Sequence, residues 1–289
     1  MKFGWRILGG LFLLSAMLCG AQTPPSPDRP LPDIPAMMHQ VEEHQKTSEK
    51  LVKDYLYHSF AVQQSEDDHG GIKKTETYDV DIFYVAGVRI ERLIRKNGKD
   101  LTPDQQKKES ERIDKKIAKA KEKSESGSEE NGVVTVSRFL ELGSFSNPHR
   151  ITMDGRDTIA VDFTGNPQAK TRNRLEGAIR DMEGTVWVDE QDRSLRKLQG
   201  HFVNAFKVGG GLLADIKKDS RFDAEWTKIN GEVWLPASAS GYGSIRVLLL
   251  FNFHGSLRVT NSNYRKFKAT STILPVTGIE EPPPDEPKP

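Results

Sequence analysis

Histidines and carboxylates are the residues best able to do chemistry in this 289-residue chain, and their spacing argues against most of it. His39 and His44 bracket Glu42 and Glu43, as in a zinc-protease helix. Such helices carry their two histidines four apart on one face, whereas a spacing of five turns the second ring away by about 140° at 3.6 residues per turn. His58, His69, His149, His201 and His254 fall on separate expected strands or turns, with no carboxylate or cysteine at ligand spacing. Surface or hydrogen-bonded histidine is the expectation there. Carboxylate pairs of the glycosidase kind occur at Asp67-Asp68, Asp154 with Asp157, and Asp189 with Asp192. Each straddles an expected hairpin turn, where Asp is favoured for local backbone reasons. Gly209-Gly210-Gly211 lacks the Gly-Lys-Ser/Thr that completes a phosphate loop, and Ser240-Gly241-Tyr242-Gly243-Ser244 lacks the register of a nucleophile elbow. No catalytic residue, metal ligand or cofactor is expected, and the chain reads as a non-enzymatic protein.

The charge balance narrows the partners. With 42 Lys+Arg against 41 Asp+Glu, the surface has no basic footprint for nucleic acid. The single cysteine excludes a disulfide scaffold and Cys-rich metal sites. It stands at Cys19, inside a segment with the form of an export signal: Lys2 and Arg6 precede a short apolar run from Ile7 to Leu18. That run is too short for a membrane-spanning helix. Cys19-Gly20-Ala21 supplies small residues for cleavage after Ala21, so a periplasmic or secreted location is expected. The competing reading is a lipid anchor at Cys19, against which Leu18 stands where such boxes carry a small residue.

Proline marks the ends of the ordered part. Six prolines crowd residues 24–35 and five crowd residues 282–289, compositions that favour extended linkers. A folded unit over 36–279 is expected between them, preceded by a signal peptide over 1–21 and a linker over 22–35, and followed by a tail over 280–289.

Within that unit, partial three-four spacing from Ala36 to Tyr55 predicts a helix. Alternation from Tyr57 to Ile94 predicts strands, with turns at Gly70-Gly71, Ala86-Gly87 and Asn97-Gly98. Thr102-Pro103-Asp104-Gln105 carries the marks of a capping box. It opens an almost wholly charged helix to Lys123, inserted near 102–131, with a thin stripe of Ile113, Ile117, Ala118 and Ala120. Such a helix should rest lightly on the body or project into solvent. A buried helix is expected over Val133 to Phe145 and a short polar one over Thr171 to Met182. Strands fill most of the remainder, with breaks at Asn230-Gly231, Gly241 to Gly243 and Gly255. The total of ten or eleven antiparallel strands with three or four separate helices predicts an α+β chain: one large, curved, unclosed sheet wrapped around helices.

The aromatic and aliphatic residues of those strands leave two readings open. Phe163, Trp187, Trp226, Trp234, Leu248 and Phe251, with Phe139 and Leu140 from the buried helix, form either the core of the sheet or the lining of an apolar cavity between sheet and helices. Gly184-Thr185-Val186-Trp187-Val188-Asp189, Leu195-Arg196-Lys197-Leu198, Gly231-Glu232-Val233-Trp234-Leu235-Pro236 and Asn263-Tyr264-Arg265-Lys266-Phe267 resemble the outer-membrane lipoprotein-sorting (LolA-like) superfamily. The resemblance spans about residues 36 to 268. It implies an unclosed barrel around helices that shields acyl chains of lipids or lipoproteins in the periplasm, and so favours the cavity reading of those eight residues. The charged helix and the proline tails depart from the family pattern. An envelope module that docks a protein partner through the charged helix is the alternative.

Overall fold

The computed structural model describes residues 29–67, 69–125, 134–173, 176–208, 214–247 and 251–266. The cleavage region around Cys19 and Ala21, residues 22–28 of the proline-rich linker, the C-terminal tail and Leu248 lie outside them.

Helix α1 (Ile34–Leu51) starts where Asp33 accepts a hydrogen bond from the Ala36 N–H at 2.8 Å and Pro35 occupies its first turn. A single 3-10 turn over Val52–Asp54 then hands the chain to strand β1 (Tyr55–Glu66). Strands β2 (Ile72–Val85), β3 (Val88–Lys96) and the two-residue β4 (Lys99–Asp100) follow as a meander. Helix α2 (Pro103–Glu125) and the short α3 (Val136–Glu141) separate it from β5 (Gly143–Met153), β6 (Arg156–Gly165), β7 (Met182–Asp189) and β8 (Ser194–Phe202). A small hairpin of β9 (Phe206–Val208) and β10 (Ala214–Ile216) precedes β11 (Arg221–Ile229), β12 (Val233–Val247) and β13 (Phe251–Lys266).

Two-residue turns set the hairpins. Ala86-Gly87, Asn97-Gly98, Asp154-Gly155 and Asn230-Gly231 all hold both residues at positive φ, from 47° to 76°. That mirror-image turn matches the right-handed twist of the flanking strands, and Gly, Asn and Asp tolerate it most cheaply. All pairings are antiparallel, in the order β4-β3-β2-β1-β13-β12-β11-β8-β7-β6-β5, and β9 and β10 hang from β12. The first strand is therefore zipped to the last, with Phe60 opposite Thr260. The result is the expected α+β architecture with one curved, unclosed sheet.

Three local expectations need correction. The 133–145 helix ends at Glu141, because Gly143 onward pairs with β6. The 171–182 helix is a 3-10 turn over Glu176–Asp181. Gly241, Gly243 and Gly255 interrupt nothing: β12 and β13 run straight through them. A Cβ on Gly243 would stand 2.4 Å from Ser220 Oγ and one on Gly255 1.9 Å from the Gln64 carbonyl, so these glycines permit close approach within the sheet. Of the two expectations for α2, it rests on the body through its thin stripe and does not project. Its buried Ile113 and half-buried Ile117 close over Phe83, Ile90 and Leu56, and Glu109 accepts from the Leu93 N–H at 2.8 Å. The Thr102–Gln105 capping box forms as expected.

The main core lies where α1 and α3 cover one face of β5–β8 and β11. Met37, Met38 and Val41 from α1 meet Phe139 and Leu140 from α3 over Val161, Phe163 and Val186. Phe139 stacks on Phe163 with ring centroids 4.2 Å apart. Burial of such side chains, at about 25 cal/mol per Å2, is the main stabilising term. A buried ion pair ties α3 to the loop beyond β6: Arg138 Nη2 lies 2.9 Å from Glu176 Oε2, and Glu176 also accepts from the Arg172 N–H.

Candidate functional site

Side chains alternate faces along a strand, so the register determines what stands together on the face turned away from α1 and α3. Arg258, Ser240, Asp223, Gln199, Thr185 and Asp162 are successive register partners on β13, β12, β11, β8, β7 and β6. Val62 on β1 and Ser146 on β5 end this row. Two residues further along each strand runs a parallel row, with Ser256, Tyr242, Arg221, His201, Glu183 and Thr164 as partners and Gln64 at its end. Both rows line one open trough of about 1160 Å3 that crosses eight adjacent strands. This exceeds the ~300–1,000 Å3 of ordinary small-molecule sites.

The floor between the rows is unusually bare. Gly184, Gly200, Phe222 and Gly241 are successive occupants of the intervening row on β7, β8, β11 and β12. A Cβ on Gly184 would stand 1.9 Å from the Gln199 carbonyl oxygen, so any side chain there would force β7 and β8 apart.

Part of the lining is braced and part is open for contacts. Asn147 Nδ2 donates to Asp162 at 2.8 Å and Gln199 Nε2 to Asp223 at 2.6 Å. Ser256 Oγ donates to Gln64, and the Tyr242 hydroxyl donates to Glu66 at 3.1 Å. The neighbouring Glu66 carboxylate raises the Tyr242 phenol above its ordinary pKa, keeping it a donor. Arg221 lies over the Tyr242 ring, 4.6 Å from its centroid. At the rim, Lys197 bonds Glu225 at 2.8 Å, which raises its pKa and keeps it charged. By contrast Glu183, Thr185, His201, Ser240 and Arg258 line the trough, half-buried or exposed.

The nominated cavity residues divide between the two faces. Phe139, Leu140, Phe163, Trp226 and Trp234 stand together in the close-packed core beside the helices. Phe163 reaches the trough only at its floor. Trp234 also donates through Nε1 to Asp192 at 2.9 Å. Trp187 is on the opposite, trough-bearing face, beside the rim and beneath Lys197. Leu248 lies outside the described residues, and the side chain of Phe251 is not among those described. The recess is thus on the other side of the sheet from the place expected for it. The polar lining residues are visible in the sequence as the outward members of alternating pairs, but only the register aligns them.

The histidines and carboxylates have local partners. His44 Nδ1 lies 3.0 Å from the carbonyl oxygens of Asp192 and Arg193, fixing α1 to the β7–β8 turn. His58 lies between Asp79 and Asp81, at 3.2 and 3.3 Å. Asp189 accepts from Arg156 and from the Asp192 N–H, and Asp192 accepts from Lys228 and Trp234. These pairs brace a turn, in keeping with their hairpin positions. Among the described residues no helix is long and apolar enough to cross a membrane.

No family model matches the chain, and no curated protein matches it. Among solved structures it is similar to a DUF1329 family protein from Desulfovibrio piger at 12% identity, over 83% of this chain and 96% of that one. The TM-score is 0.37, a superposition too loose to carry detail or function from one chain to the other.

Proposed function

We propose that this chain is a non-enzymatic binding or carrier protein of the cell envelope, whose cargo is an amphipathic lipid or lipoprotein held with its polar part in the trough. The trough carries this reading: it is open, spans eight strands and is lined by polar side chains above a floor of three glycines with Phe163, Phe222 and Leu257. The export signal and the LolA-like motifs of the sequence support the compartment and the class of cargo. The geometry favours a ligand with a substantial polar portion over a bare acyl chain, since withdrawing Asp162, Asp223, Arg221 and Arg258 from water without partners is costly. Preformed side chains and a rigid paired floor lower the ordering cost of binding.

The test is native mass spectrometry of full-length protein purified without detergent from the compartment it is exported to, followed by solvent extraction. A co-purifying amphiphile that protects trough residues such as Thr185 and Gln199 from hydrogen exchange is the expected result. Protein that carries no amphiphile and takes none up from mixed lipid vesicles overturns the proposal.

A further inference from the structure

The trough has a chemistry narrower than "polar", and on the reading above it specifies which part of the cargo lies there. We infer that it seats an extended, uncharged saccharide chain, such as the glycan portion of an envelope amphiphile. Four observations exclude the other extended ligands and leave this one.

Length comes first. Eight adjacent strands at about 4.8 Å spacing give a contour of roughly 34 Å perpendicular to the strands, so the site suits a linear chain of several rings rather than one compact molecule. Charge is next: the lining holds the carboxylates Asp162, Glu183 and Asp223 against the guanidinium groups of Arg221 and Arg258. A polyanion such as nucleic acid would meet more like charge than opposite charge. The backbone excludes an extended peptide added as a strand, because every strand that floors the trough except β5 is paired on both sides. Finally, the side chains present hydroxyl, amide and carboxylate groups at strand spacing in two parallel rows, a repeating array of donors and acceptors.

Sugars carry such groups on their edges and apolar C–H patches on their faces. Aromatic surface for those patches is on the same sheet face. Tyr242 is in the lining. Phe60, 39% exposed, and Trp187 belong to the next register row out. That row links them through Thr260, Ser238, Glu225 and Lys197, so one aromatic ring stands near each end of the trough.

The experiment titrates full-length protein with linear neutral hexasaccharides of glucose, N-acetylglucosamine, mannose and galactose. Calorimetry and the indole fluorescence of Trp187 report binding. Gln199→Ala and Thr185→Val serve as trough variants, with thermal melts to show that both fold. At least one hexasaccharide should bind, with affinity at least 10-fold weaker in each folded variant. Binding that both variants leave unchanged overturns the inference, because the site is then elsewhere. Failure of all four sugars, while the protein still takes up amphiphile from vesicles, overturns the saccharide and leaves the carrier reading standing. Failure of both sugars and vesicles removes the two together.

Discussion

Replacing Asp189 with alanine tests whether the β7–β8 turn is held by its buried carboxylate. Asp189 has no exposed surface, and it accepts from Arg156 Nε and Nη2 at 2.5 and 2.8 Å and from the Asp192 N–H at 2.8 Å. Truncation leaves a guanidinium and a backbone donor without their acceptor. Removing one partner of a buried pair costs about 3–5 kcal/mol. Arg156 keeps about a third of its side-chain surface in water and a second carboxylate, Asp192, at 3.0 Å, so about 3 kcal/mol is the appropriate end of that range. With a urea dependence of about 2–3 kcal/mol per M, the unfolding midpoint should fall by about 1–1.5 M at unchanged slope. Asp154→Asn is the control, since Asn tolerates the positive φ of 47° at this turn. It also removes the charge facing an arginine, Arg196 at 2.6 Å, but from a carboxylate whose side chain is 87% exposed, and should leave the midpoint almost unmoved. Equal shifts for the two variants would refute the reasoning, since burial would then have no bearing on the strength of either pair.

Three further outcomes are expected. Gly184→Ala, which places a Cβ 1.9 Å from the Gln199 carbonyl, should lower stability by about 1–3 kcal/mol. It should also weaken amide protection across β7 and β8, as read by hydrogen exchange. Ile113→Ala should cost about 2–3 kcal/mol by opening a cavity over Phe83 and Ile90 and speed proteolysis within α2; a helix that merely projects would show neither. Lys96 and then Lys74 depress the Glu76 carboxyl from 4.5 to about 2. Because the folded value is the lower one, its stabilisation is complete above pH 4.5 and is lost as pH falls through 2. Urea midpoints of wild type and Glu76→Gln should therefore differ at neutral pH and converge near pH 2, and carboxyl NMR should place the titration near 2.

The parts of this fold legible in the sequence are those whose cost is local. Asn97-Gly98, Asp154-Gly155 and Asn230-Gly231 announce their hairpins because two consecutive positive-φ residues suit few side chains. Thr102 and Gln105 announce the start of α2 because the capping box is complete within four residues. Gly243 and Gly255 misled because their reason for being glycine is remote: Ser220 and Gln64 approach from other strands. The stripe at 133–145 overstated α3 because pairing with β6 overrides helical spacing from Gly143 on. The trough was the least legible part. Thr185, Gln199 and Asp223 each look like an ordinary outward polar residue, and nothing short of the β7–β8–β11 register puts them in line. The aromatic residues drew attention to the core because apolar residues are conspicuous, and the recess is lined largely by residues that are not.

The pairing of the first strand with the last also sets a clock. Phe60 and Thr260 are 200 positions apart, and a ribosome adding about 5–20 residues per second needs some 10–40 s to make that stretch. For that interval one side of β1 is an unpaired edge, although in the finished protein it lies deep within the sheet. The meander of β1 to β4 can form early, yet its junction to the helix-bearing half must wait for the C-terminal strand, as folds dominated by distant pairings do. The sheet therefore stays open at this seam until β13 has been made.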